Sequence, residues 1–93
     1  MGCGVNDSRL DRIAEMAADG QVEKDRKMLV WIASDALREW VEFMEGFPFS
    51  DSEIGVVAVR LRAALRHAQI GNDGMARASF RLAGKAIEVV KNR

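Results

Sequence analysis

Between Leu29 and Phe47 the apolar residues return every three or four positions: Leu29, Ala33, Ala36, Leu37, Trp40, Phe43, Met44 and Phe47. At ~100° per residue these side chains share one face of a helix, whereas a strand, with its period of two, would scatter them over both faces. A face that carries one Trp and two Phe has to be covered, and the only candidates for the cover are other helical stripes in the same chain. The spacing predicts four helices and no strand. The first spans 8–18, opened by the capping box of Ser8 and Asp11, striped by Leu10, Ile13, Ala14 and Ala17, and stopped by Gly20. The second spans 21–45 and ends at Gly46 and Pro48. Ser50 and Glu53 form another capping box and open the third, which reaches Ile70 and closes at Gly71. Asn72 or Asp73 caps the fourth, which runs to Lys91. Connections this short favour antiparallel neighbours. The expected fold is all-α, a small antiparallel helical bundle of one short N-terminal helix and three longer ones, with 1–93 as a single domain and 1–7 outside its packed part.

Composition narrows the function classes. With 48% hydrophobic and 30% charged residues in 93, the chain has the makings of one core and is not disordered by composition. One cysteine, Cys3, excludes a disulfide framework, and one Cys with one His does not build a zinc site. No cofactor and no metal is therefore expected. No apolar run approaches the ~20 residues that cross a bilayer, so no membrane partner is expected. Gly2 and Cys3 resemble the start of dually acylated proteins, but Asn6 stands where that pattern takes Ser or Thr, and no apolar segment precedes Cys3. A frayed terminus with a free thiol, in a cytoplasmic protein, is the expectation. Net charge is zero, yet residues 1–53 hold twelve acids against six bases while residues 54–93 hold eight bases against two acids. Such asymmetry fits an anion-binding half, head-to-tail self-association, or helices that attract each other within one bundle.

Three helical faces are candidates for binding. Trp31 lies nine positions before Trp40, about 180° from it on a helix, so it falls outside the core face and among Lys27, Met28, Asp35 and Arg38. Either the first helix folds over it, or it is an exposed anchor flanked by Met28, Lys27 and Arg38, of the kind enriched at binding hot spots. The third helix has its main stripe at Ile54, Val57, Ala58, Leu61, Ala64, Leu65 and Ala68, and a second, roughly opposite, at Val56, Val59, Ala63 and Ile70. A helix apolar on two sides is central in a bundle or shared with another chain, and a homodimer burying Val56, Val59 or Ala63, or the Trp31 side, is expected. In the fourth helix Met75, Ala76, Phe80, Leu82, Ala83, Ala86, Ile87, Val89 and Val90 are expected to fill half the circumference. Arg77, Arg81 and Lys85 form a ridge on the other half. With Arg60, Arg62 and Arg66 that ridge is a candidate phosphate-tracking surface for nucleic acid.

Three stretches are similar to known families. From Arg60 to Val90, Ala64, Gly71, Ala76, Phe80 and Ala83 resemble one tetratricopeptide hairpin, although the Trp-Leu-Gly start is absent and Asp73 replaces an aromatic; a stable array needs about three such repeats. Arg62 and His67, with four residues between them, resemble the Arg–His motif of the HEPN ribonucleases, which implies a dimeric ribonuclease; the polar residue that often follows the Arg is Ala63 here. His67 and Gly71 have the spacing of a phosphotransfer domain, whose expected Lys is replaced by Ile70.

No nucleophile–base pair, paired carboxylates or phosphate-cradling Gly loop is present in the sequence. The expectation is a non-enzymatic protein–protein interaction module, a small cytoplasmic regulator or adaptor of bacterial or phage type, acting as a homodimer on another protein. The alternatives are a nucleic-acid-binding regulator and the HEPN-like ribonuclease.

Overall fold

The computed structural model describes residues 8–45 and 52–92, and the side chains from Gly55 onward in the second stretch. The assignments made above to Gly2, Cys3, Gly46, Phe47, Pro48, Ser50, Glu53 and Ile54 lie outside what it describes. Four helices are present, α1 (Ser8–Val22), α2 (Arg26–Glu45), α3 (Ser52–Gln69) and α4 (Asp73–Lys91), and no strand occurs among the described residues. They form an antiparallel bundle. Each helix packs along its neighbour in the order α1, α2, α3, α4 and back to α1, while α1 and α3 do not touch. The α1–α2 groove and the α3–α4 groove therefore lie on opposite sides of the bundle.

The first boundary corrects the sequence reading. Gly20 does not stop α1; it is buried inside the helix, which continues to Val22. A Cβ at Gly20 would lie 2.5 Å from the Phe80 ring, so this glycine is where α4 comes closest to α1. The lost helix propensity, about 1 kcal/mol relative to Ala, is offset by seating a fully buried Phe80. The break comes instead at Glu23–Asp25, and α2 starts at Arg26 rather than residue 21. Asp25 caps it: its Oδ1 accepts from the Lys27 amide at 3.0 Å and its carbonyl accepts from the Leu29 amide at 2.9 Å.

The α3–α4 turn follows the sequence expectation. Gly71 takes φ +87°, the Asn72 amide donates to the His67 carbonyl at 2.7 Å, and the Gly71 amide donates to the Ala68 carbonyl at 3.2 Å. These two bonds are a Schellman C-cap. Asn72 is the N-cap of α4, its side chain accepting from the Met75 amide. Asp73 is thereby free for a different task, an ion pair with Arg26 at 3.1 Å.

The core contains Leu10, Ile13, Leu29, Trp40, Val57, Leu61, Phe80, Ile87 and Val90, all fully buried. Each such side chain contributes ~1.5–3 kcal/mol through burial. Alanines at 17, 33, 36, 64, 68, 76 and 83 are buried between them and let the helices approach closely. Leu37, Met44, Ala58 and Leu65 pack at the margin as expected. Ile32 and Ser79 are buried too and join the predicted faces. Met75, Leu82 and Val89, predicted as part of α4's buried face, are exposed. The buried arc of α4 is narrower than expected because α1 and α3 supply most of the packing against it, and α2 reaches it only across the core. Ion pairs tie the rim: Lys91 to Asp11 at 2.8 Å and Arg12 to Glu39 at 3.9 Å. Asp11 holds the Lys91 ammonium above its ordinary pKa by accepting its hydrogen bond, so the lysine is charged at neutral pH and on the alkaline side gives up this contribution only above the range of an ordinary lysine.

Candidate protein-interaction surface

Trp31 is 65% exposed while Trp40, nine residues on, is fully buried. Opposite faces of α2 explain the difference. The first helix does not fold over Trp31; α1 is occupied by α4 through Gly20 and Phe80, and its remaining flank stops beside the indole. What results is an open groove of about 550 Å³ between the end of α1 and the start of α2. Met16, Val22, Met28, Trp31 and Ile32 supply its apolar lining, and Asp19, Glu23, Lys24 and Asp35 its polar rim. Exposed apolar side chains clustered in one concavity, with an aromatic at the centre, are the usual signature of a binding anchor.

The flanking residues divide. Met28 lines the groove and is exposed. Arg38 is turned onto Asp35, one turn of helix back, and partly neutralises that carboxylate. Lys27 is exposed on the first turn of α2, its amide taken up by Asp25. Glu23 is partly committed, accepting from the Asp25 amide at 3.1 Å.

The basic residues do not form a single ridge. Arg60, Arg62, Arg66, Arg81 and Lys85 are exposed, but Arg60 and Arg62 leave α3 about 160° apart. Arg77 turns away toward the α1–α2 connection, where it donates to the Glu23 carbonyl at 3.2 Å and is half-buried. Arg62 and His67 are five residues apart on one helix, so they point about 140° from each other and share no site within one chain. His67 is half-buried and its Nδ1 is enclosed with no hydrogen-bond partner; Gly71 is a helix terminator. The α3–α4 hairpin does pack through Ala64, Ala76, Phe80 and Ala83, yet Phe80 seats on α1 rather than on a following repeat.

Among the described residues no group of His, Cys, Asp and Glu is placed to hold a metal, and no helix is long and apolar enough to cross a membrane. The chain matches no family model, no curated protein and no solved structure.

Proposed function

We propose that this chain is a non-enzymatic protein–protein interaction module, a small regulator or adaptor that works as a homo-oligomer, with the Trp31 groove as its principal contact. The observation that carries this reading is the exposure of Trp31 beside Met28 in a concave, largely apolar groove. A Trp held in water at that level forgoes a burial gain of ~1.5–3 kcal/mol or more, which a partner recovers on binding. Cytoplasmic residence belongs to the same reading and rests on the lone cysteine, which suits a reducing compartment.

The test is a photo-crosslinking amino acid placed at position 31 and, as control, at the exposed Ala18, in cells that make the protein naturally. Protein adducts at 31 and not at 18 support the module. Equal labelling at the two positions, or adducts with nucleic acid alone, overturns it in favour of the nucleic-acid reading carried by Arg60, Arg62, Arg66, Arg81 and Lys85.

A further inference from the structure

The α3–α4 groove, on the side of the bundle away from Trp31, carries its own apolar surface. The α1 side of α4 is marked by Gly84 against Ala17 and by Lys91 on Asp11. Leu82 lies half a turn from Lys91, so Met75, Leu82 and Val89 occupy the α3 side. On α3, Val56, Ala63 and Ile70 repeat the same spacing. Residues seven apart stack along a helix at about 10.5 Å, so these are two apolar rails running along one groove. Ile70 is 68% exposed, and Val59, just outside the rail, is 59% exposed. The charges beside the rails are Arg60, Arg66, Arg81 and Lys85. The acids of α4 are turned to other duties, Asp73 with Arg26 and Glu88 with Lys91.

The Trp31 groove has the converse character. Its α1 and α2 walls present Glu15, Asp19, Glu23, Asp35, Glu39 and Glu42, against which stand Lys24, in the groove, Lys27, on its flank, Arg38, on Asp35, and Arg12, on Glu39, so the acids outnumber the bases. Met28, Asp35 and Glu42 again lie seven apart. One face is apolar and acidic with a projecting aromatic; the other is apolar and basic with a channel between rails.

We infer that the occupant of the α3–α4 groove is the Trp31 face of a second copy of this chain, so that the protein assembles head to tail. Charge complementarity decides the geometry. A two-fold contact through either face sets like charges against each other, Arg60, Arg66, Arg81 and Lys85 in one case and the carboxylates in the other, whereas stacking unlike faces pairs them. A contact between two different faces leaves one of each unused at the ends, so assembly continues to a filament or closes into a ring. This inference rests on the Trp31 groove being a protein-binding surface.

The test uses the full chain and two variants, each altered only at exposed positions. One carries Trp31→Asp and leaves the basic face intact; the other carries Ile70→Asp with Arg81→Glu and leaves the Trp31 face intact. Sedimentation velocity at low salt should show the parent growing past a dimer as concentration rises from about 1 to 100 µM, a range that resolves micromolar affinities. Added salt should reverse the growth. Each variant alone should sediment as the 10.3 kDa single chain, and an equimolar mixture should give a 1:1 complex and no larger species. A parent that stays monomeric at 100 µM overturns the inference, and so does a dimer that the Ile70→Asp, Arg81→Glu variant still forms by itself. The Trp31 module survives a monomeric parent if crosslinking at 31 still captures a foreign protein, so the two failures are distinguishable.

Discussion

Single atoms decide how closely this bundle closes. Phe80 lies on Gly20 so tightly that a methyl group there would meet the ring at 2.5 Å, and Phe80 is too enclosed to move aside. Gly20→Ala should therefore destabilise the fold by ~1–3 kcal/mol despite the better helix former, because overpacking outweighs propensity. Gly74, near the start of α4, has nothing within 4 Å of its would-be Cβ, so Gly74→Ala should stabilise by about 0.4–1 kcal/mol. Urea unfolding of the two variants checks both signs at once; destabilisation by both would show that the Gly20 effect is not the Phe80 contact. Trp40 is the other residue on which the core hangs. Its ring lies 5.1 Å from that of Phe43, and its Nε1 is buried without a hydrogen-bond partner. Trp40→Ala should cost ~3–5 kcal/mol, a large share of the stability of so small a domain. Trp40→Phe should cost much less, since it keeps most of the packing and removes the unpaired donor.

At the level of the helices, the connections were legible where a residue's chemistry allows one local outcome. Gly71 had to close α3, because a residue at φ +87° before a capping Asn is cheap only for glycine. Gly71→Ala should cost ~1–2 kcal/mol through the left-handed backbone alone, measurable as a drop in thermal midpoint of several degrees. The α1–α2 break was misplaced for the opposite reason. Gly20 carries the same local signal as Gly71, and only the arrival of Phe80, sixty residues later in the chain, makes it a packing position instead of a stop. Asp25, the actual cap, was visible as a helix-starting residue before Arg26, but the presumed end at Gly20 hid it. Ile32 shows a different kind of miss: it lies four residues before the buried Ala36, and the helical period alone was enough to find it. The exposed half of α4 was beyond the sequence, because the width of a buried arc depends on how many neighbours a helix has.

For the molecule as a whole, the placement of Trp31 was readable as to side of the helix but not as to exposure, which depends on where α1 ends and what it covers. The fold settles that by committing α1 to α4, and it leaves the indole 65% exposed. Trp31→Ala should accordingly leave the thermal midpoint within a few degrees of the parent, as surface substitutions usually do, while weakening self-association or partner capture by about 2 kcal/mol or more, the scale of a hot spot. Charge reversal at Lys27 or Arg38 should change binding less than Trp31→Ala and act chiefly on the association rate. It should slow capture of an acidic partner but speed docking onto the basic α3–α4 face of a second copy, and salt should mask either effect. The basic face supplies the contrast. Arg66→Glu with Arg81→Glu should abolish any retention on generic DNA or RNA at low salt while leaving the melting of the bundle unchanged, since neither residue is buried. If that pair removes the biological activity and Trp31→Ala preserves it, the chain acts on a nucleic acid, and the groove between α1 and α2 is a surface feature without a partner. If Trp31→Ala unfolds the bundle instead, the indole contributes to stability far beyond what a side chain 65% exposed should, and the anchor role falls with it.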